Sequence, residues 1–317
     1  MKAFTSVNDV SNVPSFIKEA LKLKQAPFAF QHLGKNKTLG LIFLNPSLRT
    51  RLSTQKAAMN LGMNVIVLNI DKEGWQLEMQ DSAVMNGTTV EHVKDAATVI
   101  GNYCDIVGIR CFPGLKNKEE DYTESVLNKF IQYCNCPLVS LESATLHPLQ
   151  SFADAITINE HWKKSGKPKV VLTWAPHIKP LPQAVANSFV QWMLKSEVDF
   201  VITHPQGYEL AEQFTKNAKI NYDQQEALQG ADFIYAKNWS SFTSYGTMPD
   251  VKEDWMLTPE KLKATPDAKV MHCLPVRRNV EVPDSLLDSP SSLIYNQAEN
   301  RVYAAQAVLK NMLESNF

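Results

Sequence analysis

Short apolar runs alternate with amphipathic segments along this chain, and that order constrains its fold more than any other feature. Residues 38–44 (TLGLIFL) read as a buried strand. Asn45-Pro46-Ser47 and a helical stretch from about Leu48 to Leu61 follow, with Gly62 where a helix C-cap belongs. Strands are expected over 64–70, 105–111 and 137–143, with helices over 90–101 and 125–134 between them. A β-α-β-α order with apolar strands implies a mostly parallel sheet with helices on both faces.

A second set follows. A helix over 148–164 is broken by Ser165-Gly166-Lys167-Pro168, and strands are expected over 169–175, 199–205, 231–237 and 268–275. A further helix falls over 181–196. The segment 298–314 carries Val302, Ala305, Leu309 and Met312 on one helical face, an apolar stripe that must dock across the domain boundary. The expected fold class is α/β, with two doubly wound domains hinged near 145–151. One spans 1–147, with the C-terminal helix (about 296–317) packing back on it; the other spans 148–295. A length of 317 residues suits two domains. In such sheets, ligands gather at the C-terminal ends of strands.

Composition removes several classes of function. Lys plus Arg is 32 and Asp plus Glu is 33, a net charge of −1, so no global field draws the chain to nucleic acid or to an anionic membrane. No apolar run approaches the roughly 18 residues of a spanning helix. The N-terminus lacks the apolar core of a secretory signal. The five cysteines are odd in number and dispersed, which suits a reducing compartment, and the cytoplasm is expected. Neither common nucleotide-cradling glycine motif occurs, and Cys134-x-Cys136 is too tight for a zinc hairpin. No metal and no cofactor are expected.

The chemistry is sought where strand 38–44 runs into Asn45-Pro46-Ser47-Leu48-Arg49-Thr50-Arg51. Ser47 is placed as an N-cap, and the helix start offers oriented N–H groups beside two guanidiniums. Arginine suits bidentate phosphate contact. On these residues alone, a capped surface helix with solvated arginines fits equally well.

The wider pattern separates the two. Ser-Leu-Arg-Thr-Arg after a buried strand resembles the S-x-R-T-R signature of the aspartate/ornithine carbamoyltransferase family. His147-Pro148-Leu149-Gln150 with Ala153-Asp154 is similar to that family's H-P-x-Q…A-D motif. His272-Cys273-Leu274-Pro275 resembles its H-C-L-P, and Gln297-Ala298-Glu299-Asn300-Arg301 its Q-A-E-N-R. The four motifs stand in order over nearly the whole chain.

The resemblance implies a carbamoyltransferase-like fold and transfer of a carbamoyl group from carbamoyl phosphate to an amine. Ser47, Leu48, Arg49 and Thr50 would grip the phosphate, with Arg301 adding a contact. Arg110 would touch both the phosphate and the carbonyl oxygen, and His147 would hydrogen-bond that oxygen. Gln150 and main-chain carbonyls near Cys273 and Leu274 would hold the carbamoyl NH2. Cys273 would orient the amine rather than attack. Trp75 would reach the neighbouring subunit's carbamoyl-phosphate site in a homotrimer.

For the acceptor, the ornithine enzymes' D-x-W-x-S-M-G loop compares with Ala236-Lys237-Asn238-Trp239-Ser240-Ser241-Phe242, which has no acidic residue to meet an α-ammonium. An acylated α-amine has lost that charge and keeps its carboxylate, for which Lys237 is a partner. The resemblance is then to the branch acting on N-acylated ornithine, which also points to Glu142 and to His177 in Trp174-Ala175-Pro176-His177 as substrate contacts. Thr88-Thr89-Val90-Glu91-His92 has apolar Val90 where acetyl-specific members carry Glu, and Arg277 can offset a second carboxylate. N2-succinylornithine in arginine biosynthesis is therefore the expected acceptor. N-acetylornithine, or a catalytically silent assembly subunit, is the alternative.

Overall fold

The computed structural model describes residues 1–265 and 267–315, which form two compact units. The first comprises 1–114, 119–149 and the chain from Arg301; the second comprises 115–118 and 150–300.

In the first unit, β1 (Ala3–Phe4), β2 (Thr38–Phe43), β3 (Asn64–Asn69), β6 (Ile106–Arg110) and β7 (Leu138–Glu142) pair in the order β1-β7-β6-β2-β3, all parallel. A separate two-stranded ladder joins β4 (Leu77–Glu78) to β5 (Glu91–His92). Leu39, Leu41, Ile42 and Phe43 of β2 and Ile106, Val107 and Ile109 of β6 are buried, as inner strands of a covered parallel sheet require. Each such side chain contributes about 1.5–3 kcal/mol. From β2 the chain passes through the Arg49–Asn60 helix to β3 on one side. It then returns through the Val93–Tyr103 helix to β6 on the other side. This reversal opens a crevice outside the carboxyl ends of β2 and β6. Those ends are tied together: Leu44 N–H donates to the Arg110 carbonyl (3.0 Å) and Phe112 N–H to Asn45 Oδ1 (2.6 Å).

The second unit repeats the plan. Here β8 (Lys169–Trp174), β9 (Asp199–Thr203), β10 (Lys219–Asn221), β11 (Phe233–Lys237) and β12 (Lys269–Met271) run parallel in the order β10-β9-β8-β11-β12. The switch point lies between β8 and β11, where Ala175 N–H donates to the Lys237 carbonyl at 3.1 Å. Around this sheet Phe152 stacks on Trp192 with centroids 4.9 Å apart, and the Ala184–Leu194 helix is buried over most of its length.

Several boundaries differ from the sequence expectation. The helix expected over 148–164 stops at His161, and the one expected over 181–196 begins at Ala184. β9 ends at Thr203 because Pro205 has no N–H for a ladder. β12 stops at Met271, leaving His272 to Pro275 as a loop with Leu274 at φ +55°. Val90, expected at a helix start, precedes β5, and the helix begins at Val93. The stretch around Trp75 is not wholly irregular: a short helix at Ile70–Glu73 and the β4–β5 ladder frame it. The last helix begins four residues early, at Ile294.

Gly62 closes the Arg49–Asn60 helix at φ +80°, with Met63 N–H on the Ala58 carbonyl and Gly62 N–H on the Met59 carbonyl, both at 3.0 Å. A Cβ there would meet the Gln31 carbonyl oxygen at 2.3 Å, whereas at Gly207 (φ +88°) it would meet nothing within 4 Å. Gly207→Ala should lose only the left-handed backbone penalty of about 1–2 kcal/mol. Gly62→Ala should lose clearly more in urea unfolding, and equal losses would contradict the close approach.

Candidate active site

At the end of β2 the chain enters the helix with Leu48 already helical, so Ser47 stands at the capping position. Its Oγ accepts from the Thr50 N–H at 3.3 Å. Thr50 is buried, and its Oγ1 accepts from Arg301 Nη2 at 2.6 Å. This bond joins the first-strand motif to the C-terminal one, 251 residues away in sequence. Arg49 is half-buried on the first turn, and Leu48 is exposed.

At the end of β6, Arg110 is buried and lies over the Phe112 ring, its guanidinium carbon 4.2 Å from the centroid. Its Nη1 pairs with Glu142 Oε2 at the end of β7. Its Nε–H is buried with no hydrogen-bond partner among the described residues. A desolvated arginine donor of this kind calls for an acceptor. His147 Nε2 lies 3.3 Å from the same Glu142 oxygen. Burial, reinforced by Arg301, Arg110 and Arg49, holds His147 well below the usual imidazole range, so the ring is neutral at physiological pH. Three guanidiniums thus converge electrostatically on one buried histidine, with Glu142 the carboxylate beside it. Glu142 was expected among the acceptor's contacts; here it pairs with Arg110 and His147.

In the second unit the remaining motifs meet at Asp154. Its Oδ1 accepts from Gln150 Nε2 (2.8 Å) and from Gln297 Nε2 (2.9 Å). Gln297 Oε1 accepts from the His272 N–H at 2.8 Å. His272 Nδ1 accepts from Leu274 N–H (3.0 Å), which places the ring proton on Nε2, facing Glu281 Oε1 at 3.4 Å. Glu281 Oε2 in turn accepts from Arg277 N–H at 2.7 Å. Burial pushes the Glu281 carboxyl up, but His272, Lys237 and the Arg277 N–H outweigh it and hold the group below the usual range. With Asp154 on its NH2 end, Gln150 is oriented with its carbonyl oxygen as an acceptor.

Of the acceptor candidates, Lys237, His177, Leu274 and Arg277 lie at or beyond the ends of β8, β11 and β12 of the second unit, whereas Glu142 and Val90 belong to the first. Lys237 is buried, and its Nζ donates to the Asn238 carbonyl at 2.6 Å. Cys273 is buried; burial pushes its thiol up against the opposing pull of Lys237 and Tyr235, so it is not a resting thiolate. His177 Nε2 accepts from Arg277 Nε at 3.1 Å, which leaves Nδ1–H to donate to the Lys179 carbonyl at 2.8 Å. Trp174, by contrast, is core: its indole donates to the Trp239 carbonyl at 3.0 Å.

Trp75 and Val90 share one exposed edge of the first unit, at 54% and 62% exposure. The Trp75 indole donates to Glu91 Oε2 (2.8 Å), and Val90 N–H to the Gln76 carbonyl (3.0 Å). Beneath Trp75 lies a cavity of about 480 Å³ walled by Leu44, Ile70, Leu77 and Met79.

Sequence reading did not single out Glu281 or Glu124, and it quoted Asp154 only as part of a motif. Glu281 stands eight residues beyond Cys273 with no local pattern to mark it. For Glu124 the one signal is its left-handed backbone (φ 52°), which no sequence pattern reveals.

Comparison with known proteins gives the family. Residues 2–160 match the family profile described as aspartate/ornithine carbamoyltransferase, carbamoyl-P binding domain; residues 182–312 match its Asp/Orn binding domain. A Bacteroides thetaiotaomicron protein named N-succinylornithine carbamoyltransferase is 52% identical over 316 residues, 99% of each chain. A Bacteroides fragilis protein of the same name is 51% identical over 317 residues, again 99% of each. A crystal structure of acetylornithine transcarbamylase complexed with acetylcitrulline superposes with a TM-score of 0.93 at 31% identity, covering 98% of this chain and 99% of that one. With both halves matched and the motif residues gathered at two strand switch points, this chain belongs to the aspartate/ornithine carbamoyltransferase family.

Proposed function

We propose that this chain transfers the carbamoyl group of carbamoyl phosphate to the side-chain amine of N2-succinylornithine, releasing N2-succinylcitrulline and phosphate in arginine biosynthesis. The observation that carries the reading is that Arg301 lies on Thr50 Oγ1 at the helix start, and that buried Arg110 and His147 meet at one Glu142 oxygen. Full-length similarity to proteins named for that activity supports the choice of acceptor.

Carbamoyl phosphate is a highly anionic mixed anhydride. Ser47 to Thr50 and Arg301 hold its phosphate on the helix start, where the N–H groups and helix dipole favour an anion. The amine lone pair attacks the carbonyl carbon, the bond to the phosphate oxygen breaks, and the departing phosphate takes the proton from nitrogen. Charge builds on the carbonyl oxygen during attack. Thr50, Arg110 and neutral His147 donate to it, each such donor being worth about 3–4 kcal/mol. Gln150 and the carbonyls of Cys273 and Leu274 accept from N–H groups of the carbamoyl moiety. The protonated Cys273 thiol orients the amine and forms no covalent intermediate.

Lys237 pairs with the acceptor's α-carboxylate, and Arg277 with His177 meets the succinyl carboxylate. Glu142 holds Arg110 and contacts the acceptor. Val90 admits the longer acyl chain without charge repulsion. The chain acts in the cytoplasm as a homotrimer in which Trp75 reaches the neighbouring subunit's site. Trp75 and Val90 are exposed apolar side chains of the first unit, available to such a contact. Five free cysteines suit a reducing compartment. No helix among the described residues is long and apolar enough to cross a membrane.

Steady-state rates with N2-succinylornithine, N-acetylornithine and ornithine at fixed carbamoyl phosphate test the reading. The succinyl substrate should give the highest kcat/KM, and turnover of none of the three would refute carbamoyl transfer. Val90→Glu places a carboxylate near the acyl tail. It should lower the succinyl-to-acetyl kcat/KM ratio by about tenfold or more, a like-charge effect; an unchanged ratio contradicts the role of this position. Because the acceptor amine must be neutral and titrates near pH 10 in water, log kcat/KM for the acceptor should rise with unit slope over the acid range. His147, with its pKa depressed, stays neutral through that range and should add no second limb near pH 6.5. A limb there that disappears in His147→Asn would show that the ring titrates during turnover.

A further inference from the structure

Glu142 and His147 flank a tight turn, Ser143 to Leu146, that presents Glu142 to Arg110 and sets His147 Nε2 3.3 Å from the same Glu142 oxygen. Ser143 N–H donates to the Leu146 carbonyl at 2.8 Å, which closes the turn on itself. Ser143 Oγ also accepts from the Leu146 N–H at 3.3 Å and lies 3.3 Å from the Leu146 carbonyl oxygen; the other bonds to the turn come from a carboxylate of another element. Glu124 Oε1 accepts from Ser143 Oγ (2.6 Å), from Thr145 N–H (2.7 Å) and from Thr145 Oγ1; Oε2 accepts from Ala144 N–H at 3.1 Å. Every residue of the turn but Leu146 therefore donates to one side chain.

Glu124 is itself held. It stands immediately before the Ser125–Tyr133 helix at φ 52°, ψ 34°, a left-handed conformation that a non-glycine residue adopts at a cost of about 1 kcal/mol or more. Its N–H donates to the Asp121 carbonyl (3.2 Å), and its own carbonyl accepts from Asn128 N–H (2.9 Å). A glycine would adopt this backbone without strain, so the side chain is what the position requires.

We propose that Glu124 is a positioning residue for carbamoyl transfer: its carboxylate anchors the Ser143–Leu146 turn and thereby sets Glu142 against Arg110 and His147 against Glu142. This rests on the function proposed above. Glu124 contacts none of the reacting groups itself. It acts as an outer-shell acceptor does at a metal site, where loss of such a partner costs about 10–100-fold. Arg49, Arg110, Arg301 and Glu142 are charged groups that face His147, and the Cys111 thiol feels the Glu124 carboxylate.

The test is Glu124→Gln, which keeps size but turns one acceptor oxygen into a donor facing the turn's own N–H donors. Thr145→Val, which removes one donor from the other side, is the second variant should Glu124→Gln fold poorly. In Glu124→Gln, kcat should fall about 10–100-fold. Thr145→Val should shift kcat the same way by less, and the double variant should be no worse than Glu124→Gln alone. Histidine NMR gives a readout that needs no turnover: loosening the turn hydrates His147, and its titration should move up toward 6.5 in both variants. A folded Glu124→Gln protein with wild-type kcat and an unmoved His147 titration would overturn the proposal, as would additive effects in the double variant. Wild-type protein that turns over none of the acceptors, while His147 still shifts in the variants, would refute the function and leave the positioning role standing.

Discussion

Three positive charges gathered against one buried imidazole are the constraint on which the first unit is organised. Guanidiniums cannot lose protons at accessible pH, so their mutual repulsion has to be met by acceptors, by backbone dipoles or by an anionic ligand. The structure uses all of its local means. Thr50 Oγ1 receives Arg301, Glu142 receives Arg110, and the ring of Phe112 covers the Arg110 face. His147 answers the same field by staying neutral. Truncating one member of such a set leaves buried charge unmatched, which costs more than the pair itself contributes.

The crossover pattern explains why the chemistry sits where it does. Each sheet reverses direction beside its first long strand, β2 in one unit and β8 in the other. A reversal separates the loops leaving neighbouring strand ends and so leaves space that packing does not fill. Arg49 and Arg110 flank one such space; Lys237 and His177 flank the other. The two halves thus share one topological device, a crevice at the reversal of strand order.

Much of this was legible in the amino-acid order because apolar strand cores and short motifs are local signals. The runs around Leu41, Ile109, Leu172 and Ile234 announce inner strands, and Ser47, whose Oγ accepts from the Thr50 N–H, announces a helix start. The two-residue β1 at the sheet edge and the three-residue β10 carry too few apolar positions to stand out. The Val13–Gln25 helix, with Val13, Phe16, Ile17, Ala20 and Leu23 buried on one side, has a clear amphipathic spacing that the reading passed over. The pairing of Arg110 with Glu142, and the reach of Glu124 across to Ser143, depend on which strand ends lie side by side. That information belongs to the sheet order and to no single segment.

The bonds around Asp154 bear on how this enzyme can change over evolutionary time. Gln150, Asp154, Gln297 and His272 form an uninterrupted series of buried donors and acceptors drawn from three separated stretches of chain. Replacing any one member strands the next, because an amide or carboxylate without its complement is penalised in the interior. Mutational effects within the series are therefore non-additive, and a viable lineage must alter several positions almost together or none. Motifs that look like independent fingerprints would then be inherited as a single genetic block, while the surrounding surface drifts freely.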